Sequence, residues 1–139
     1  KAHELMFDVL KRGGVVAGSS AGGQVVGDFL VRGNPRTNED LVHEGYTRGL
    51  GFIEGVIIDA HFSQRDRGGP FAEMLKDYPQ MLGIGLDAEA ALVVQGSVGE
   101  VLGENRVIFY DLTNKKKSGQ VIELEVGESY DLKKRAKRR

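Results

Sequence analysis

The stretch Val15-Val16-Ala17-Gly18-Ser19-Ser20-Ala21-Gly22-Gly23 decides how the rest of the chain reads. Three apolar residues in a row, two of them β-branched, fit a short strand buried on both faces, and a glycine and serine cluster follows at once. Residues 24–31 then predict the body of a helix. Upstream, Leu5, Met6, Val9 and Leu10 recur at three- and four-residue spacings, which predicts a first helix that Gly13 and Gly14 end. Helix, strand, sharp turn and helix in that order fit an α/β unit built on a parallel sheet.

Working outward, residues 32–48 are polar, contain Gly and Pro and hold no period, so they read as a long loop of the kind kept for function. Residues 55–59 (GVIID) predict a second buried strand running into Ala60-His61-Phe62. A helix at 71–78 leads to a third strand at 83–87 (GIGLD). Beyond it, short apolar runs at 91–94, 100–102, 107–110 and 121–126, separated by turns, predict an antiparallel extension. The fold class expected is therefore α/β, a parallel sheet with a C-terminal antiparallel extension.

A chain of 139 residues that is 40% hydrophobic and 28% charged suits one soluble domain, and no apolar run approaches the roughly 20 residues of a membrane span. Zero cysteines exclude disulfides, thiolate metal sites and a cysteine nucleophile. Residues 133–139 (KKRAKRR) supply six of the 19 basic residues, and without them 13 basic residues face 20 acidic ones. Such a body is no nucleic-acid surface, so residues 1–132 read as the domain and 133–139 as a solvated, frayed basic tail. Neither membrane nor nucleic acid is an expected partner. No signal sequence is visible, which gives the cytoplasm as the expected compartment.

Gly18-Ser19-Ser20-Ala21-Gly22 has the form G-x-S-x-G and lies between a predicted strand and a predicted helix, the context of a nucleophile elbow. In such a turn Ser20 is held in strained backbone geometry, and side chains at positions 18 and 22 would collide with neighbouring elements. The Ala21 N–H at the helix start suits an oxyanion. The same cluster would also serve as a serine-capped glycine turn, or as a phosphate cradle lacking the lysine of a P-loop. A serine needs a base. Of His3, His43 and His61, the last follows strand GVIID directly, and strand ends on one edge of a parallel sheet would bring it to Ser20. His43, in the polar loop, is the alternative. Arg65 and Arg67 beside His61 fit the grip of a substrate carboxylate, or pairing with Asp66 and nearby acids.

These blocks, GSSAGG after VVA, GLGFIEGVIIDAHFSQRDR and GIGLDAEAALVV, keep their order and spacing over about residues 13–102, and they resemble peptidase family S51. That group comprises cyanophycinases and, more distantly, aspartyl dipeptidases. The resemblance implies a flavodoxin-like sheet similar to class I glutamine amidotransferases. It further implies a serine hydrolase cleaving Asp-containing peptides through an acyl-enzyme, without metal or cofactor. Ser20 matches the nucleophile and His61 the base, while Asp59, Gln64, Arg65 and Arg67 match polar residues lining the family's site. The family order of serine, acid and histidine points to Glu39 as third triad member by spacing, then Asp40 or Glu44, with Glu89 as an outside choice. Ala60 stands where cyanophycinases usually have Gln, Pro70 where many have Arg, and Asp87 is followed by Ala88 before Glu89. The substrate implied is a small peptide or a cyanophycin-like polymer of β-Asp-Arg units. The partner implied is the N-terminal half of the domain, and the resemblance leaves room for a homodimer. The alternative is a non-catalytic binding or structural member.

Overall fold

Alternation within Val56-Ile57-Ile58 sends successive side chains to opposite faces of a strand, and all three are buried. The computed structural model of the chain describes residues 1–31, 40–43, 45–113 and 119–139. Helices are α1 (Ala2–Lys11), α2 (Ala21–Gln24) and α3 (Gly68–Leu75). Strand β1 (Gly27–Leu30), β2 (Ile53–Ala60) and β3 (Leu82–Leu86) pair in parallel with β2 central. Beyond β3 the sheet continues antiparallel through β6 (Val107–Asp111) and β7 (Gln120–Leu124). A second, wholly antiparallel sheet runs in the order β4 (Ala90–Gln95), β5 (Val98–Gly103), β8 (Ser129–Asp131) and β9 (Ala136–Lys137). The architecture is thus a mixed sheet carrying parallel strands together with an antiparallel sheet and few helices, which is compatible with an α/β class.

Each face of the mixed sheet has its own core. On one, Val56, Ile58, Leu82, Ile84 and Phe109 meet Val101 and Tyr130 of the second sheet. On the other, Ile57 and Ile108 lie against Phe62, Phe71 and Leu75. Full burial of such side chains stabilises the fold by about 1.5–3 kcal/mol each. Gly83 and Gly85 face this second layer: a Cβ at Gly83 would stand 2.6 Å from Leu75 and Phe71, and one at Gly85 2.6 Å from Phe62. The glycines in this strand therefore make room for aromatic rings laid on its backbone.

Strands 2, 3 and the later hairpins fall where the sequence pattern places them, whereas four local expectations are corrected. Residues 24–31 are not a helix: α2 ends at Gln24 and the chain enters β1, where parallel pairing with β2 outweighs a pattern that could serve either state. Residues 15–17 form no strand: none of the described strands pairs with them, and Val15 is 83% exposed. The helix predicted at 71–78 begins and ends earlier, at Gly68 and Leu75. The basic terminus is not frayed throughout. Arg135 reaches Asp111 at 2.8 Å and the Gln80 carbonyl at 2.5 Å, Lys137 pairs with Glu128, and β9 closes on β8. Burial alone would raise the Asp111 carboxyl, but the bonds it accepts from Thr113 and Arg135 outweigh that and hold it below its ordinary range. Most of the 32–48 loop, including Glu39 and Glu44, lies outside the described residues. Among the described residues no helix is long and apolar enough to cross a membrane.

Tyr130 carries a buried hydroxyl that finds no hydrogen-bond partner among the described residues, while its ring stacks on Phe109 at 3.9 Å. Burial pushes its pKa up to about 12. Replacing a lone buried donor by hydrogen removes a desolvation cost of about 1–3 kcal/mol and leaves the stacking intact. Tyr130→Phe should therefore keep or raise the urea midpoint of unfolding; a drop of the size expected from a core cavity would refute that account of the hydroxyl.

Candidate active site

Ser20 stands at the start of a single helical turn. Its carbonyl accepts the Gly23 and Gln24 N–H groups at 2.9 and 3.1 Å, so the chain must reverse direction there. Its backbone sits at φ 53°, ψ −120°, a combination that residues with a Cβ rarely adopt. Gly18 permits this turn: a Cβ there would lie 2.0 Å from the Gly22 carbonyl oxygen. Gly22 itself does not face the same constraint, since a Cβ at that position would meet nothing within 4 Å, and the collision expected there is corrected.

His61 follows the last residue of β2 and also has a positive φ, 55°. The cause lies in the next residue. Phe62 is buried over Gly85 and donates its N–H to the Leu86 carbonyl at 3.0 Å, so the chain is pulled across the sheet end at His61. With Phe62 taken inward, the His61 ring turns toward the serine turn. Ser20 Oγ and His61 Nε2 are 3.1 Å apart, and Ser20 remains exposed. With the imidazole proton on Nδ1, the hydroxyl donates to Nε2, which is the arrangement from which a base can take the proton.

The remaining residues singled out in the sequence divide by depth. Asp59 and Arg67, expected to line a substrate site, are instead buried: Asp59 is fully enclosed and Arg67 is 5% exposed, with Nε 3.7 Å from Asp59 Oδ2. Burial raises the Asp59 pKa above its ordinary value, against the pull of Arg67 and the bonds from Gln24 and the Ala60 N–H. Arg65 is exposed, and its charge is felt at Asp59. The Gln64 side-chain oxygen accepts the Ala88 N–H at 2.9 Å, and Asp87 accepts the Ser63 N–H at 2.8 Å, so the segment after His61 is pinned to the end of β3. Ala21 N–H opens α2. Asp40 lines a shallow depression with Leu41, Pro70 and Met74, and Glu89 is exposed with φ 62°. Glu39 and Glu44 are outside the described residues.

His3 is bound to the Leu50 carbonyl at 2.6 Å and packs on Phe7 and Phe52, and His43 rests on Tyr46, so neither joins Ser20. Gln24 lies in the stretch expected to be a helix body, and the sequence pattern does not disclose that its amide donates to Asp59 Oδ1 at 2.6 Å. Among the described residues no group of three or more His, Cys, Asp and Glu is disposed to hold a metal ion.

Residues 1–102, which contain this whole arrangement, match the model of peptidase family S51. The chain belongs to that family. Among curated proteins, this S51 chain is similar to the cyanophycinase of Trichormus variabilis, 36% identical over 108 residues that cover 73% of this chain and 36% of the relative. It is likewise similar to the cyanophycinase of Geminocystis herdmanii, 35% identical over 100 residues covering 69% and 36%. The cyanophycinase of Synechococcus elongatus is 27% identical over 113 residues covering 78% and 34%. The chain spans about a third of the length of the curated relatives it matches.

The raised Asp59 pKa has a definite sign in stability. A carboxyl whose folded value lies above its unfolded value contributes fully below the unfolded value, and that contribution is lost as pH rises through the folded one. Asp59→Asn, which stays neutral throughout, should gain on the wild type as pH rises from about 4 to 7. Melting temperatures of both proteins across that range check it; a mutant that loses ground with rising pH would reverse the assignment.

Proposed function

We propose that this S51 chain carries the nucleophile and base of a serine peptidase acting on Asp-containing peptides, the cyanophycin type of β-Asp-Arg unit being the first substrate to try. The observation that carries the reading is the 3.1 Å contact between an exposed serine hydroxyl and a histidine ring nitrogen, each on strained backbone, within the span matched to the family. The similarity to cyanophycinases supports the substrate class.

In this mechanism His61 Nε2 takes the Ser20 proton as Oγ attacks the peptide carbonyl, and the Ala21 N–H, at the positive end of the turn, donates to the developing oxyanion. His61 then returns the proton to the departing amine. Water, deprotonated by the same ring, releases the acid from Ser20. The turn at Ser20 acts as a nucleophile elbow on a flavodoxin-like sheet. Glu39 is the carboxylate proposed to hold the imidazole tautomer and stabilise the imidazolium. Arg65, exposed on the segment after His61, is the residue proposed to hold the substrate carboxylate, with Gln64 next to it in the chain.

A fluorophosphonate probe should label the wild-type chain at Ser20 and leave Ser20→Ala and His61→Ala unlabelled, all three keeping the same far-ultraviolet circular dichroism. Loss of an essential triad member costs several powers of ten, so Ser20→Ala retaining more than about a tenth of the labelling would overturn the reading. A folded wild type that stays unlabelled would favour the non-catalytic S51-like binding domain instead.

Arg65→Glu tests specificity. With a like charge facing the substrate carboxylate, kcat/KM for an Asp-containing peptide should fall relative to its Asn analogue by about tenfold or more. An unchanged ratio would return Arg65 to the role of a surface cation.

A further inference from the structure

We infer that Gln24 is a positioning residue for Ser20: its amide, held on the buried carboxyl of Asp59, fixes the serine turn to the strand end that carries His61. The inference rests on the reading of Ser20 and His61 as nucleophile and base, and it goes beyond that reading by naming what keeps them together.

The argument begins with how little else α2 offers. A helix of one turn does not hold itself in water, since nucleation fixes several dihedrals for each early hydrogen bond. Its four residues are Ala21, Gly22, Gly23 and Gln24. Two have no side chain, and Ala21 is exposed. Gln24 is therefore the residue through which a side chain of this turn is anchored, and it is 8% exposed with its nitrogen 2.6 Å from Asp59 Oδ1. The two ends of that bond lie close in sequence to the reacting pair, Gln24 four residues after Ser20 and Asp59 two residues before His61.

Asp59 is a fixed point. Its Oδ1 also accepts the Ala60 N–H at 3.0 Å, its Oδ2 faces Arg67 at 3.7 Å, Arg65 adds positive charge nearby, and it stands in the β2 ladder opposite Gly85. Ser20 and His61, by contrast, both hold positive φ, and such conformations persist only where the surroundings over-determine them. For His61 the inward pull of Phe62 supplies the constraint. For Ser20 the Gln24–Asp59 bond supplies it. Without it, the turn is free to relax its backbone, and a hydroxyl 3.1 Å from its base need move little to break the contact.

The test uses the whole chain and a spectroscopic readout at His61. In wild type, the NMR resonances of the His61 ring should differ from those of Ser20→Ala, since the latter lacks the hydroxyl. Gln24→Met keeps the length and apolar stem but removes the amide, and Gln24→Glu puts two carboxyls together. At pH 8 both should move the His61 resonances to the Ser20→Ala positions and slow fluorophosphonate labelling about tenfold or more, while unfolding cooperatively. Val101→Ala, a truncation in the core on the opposite face, should lower the melting temperature and leave the His61 resonances at wild-type positions. The inference is overturned if Gln24→Met superimposes on wild type, if Val101→Ala moves His61 equally, or if wild type and Ser20→Ala already coincide. Labelling and resonance separate two failures. An unlabelled wild type whose His61 responds to Gln24→Met removes the peptidase reading and keeps the anchor; a labelled wild type whose His61 ignores Gln24→Met does the reverse.

Discussion

Phe62 lies against the backbone of Gly85, so close that a Cβ on that glycine would sit 2.6 Å from the ring, and the site depends on this contact. Burying an aromatic side chain is among the larger single gains available to a small domain. Here the gain is available only if the chain turns sharply as it leaves β2, because the ring must go down while the residue before it stays at the sheet edge. His61 absorbs that turn with a positive φ. Its strain, of order 1–3 kcal/mol, is offset by the burial next to it, so the backbone turn at His61 is a consequence of packing. Phe71 and Tyr110 complete the layer around Phe62, at ring separations of 5.2 and 5.7 Å, and extend the same constraint to α3.

Beneath Ser20 and His61 lie the buried polar side chains Asp59 and Arg67. Asp59 and Arg67 face each other at 3.7 Å, longer than a hydrogen bond, and the cost of burial raises the carboxyl's pKa against the attraction of Arg67. An apolar pair of the same volume would pack there at no such cost. What an apolar pair would lack is direction. Asp59 accepts from Gln24 and from the Ala60 N–H, and so joins the serine turn to the histidine strand at fixed angles. Asp87 plays a comparable part on the next strand, accepting the Ser63 N–H while Arg106, itself paired with Glu123, lies 3.3 Å away.

How far the sequence discloses this depends on where the energy of each element comes from. Strands β2 and β3 are legible because their apolar runs are buried on both faces and their glycines mark close approach, all of which is local pattern. The meeting of Ser20 and His61 is legible because both follow β-type apolar segments and only one histidine stands at such an end. It is reached by another route, however: residues 15–17 pair with no strand among the described residues, and α2 packs against the end of β2. The stretch 24–31 carries apolar residues at 25, 26, 29, 30 and 31, a spacing that fits a helix face, and the strand there exists because β2 offers a parallel ladder. No window of sequence contains that ladder. The same holds for Arg135, whose charge reads as solvated until Asp111 and Gln80 are brought beside it from residues 24 and 55 places away.

Gln24 illustrates the limit most sharply. In sequence it is a polar residue at the start of an amphipathic stretch, with nothing to separate it from a surface glutamine. Its meaning comes from Asp59, a residue 35 places later whose own burial is fixed by the β2–β3 register. In a glycine-rich turn the glycines that let the backbone take a strained path also remove the side chains that would keep it there. Some neighbouring residue must then supply the tether, and in a turn of four residues with two glycines and an exposed alanine the choice falls on the fourth.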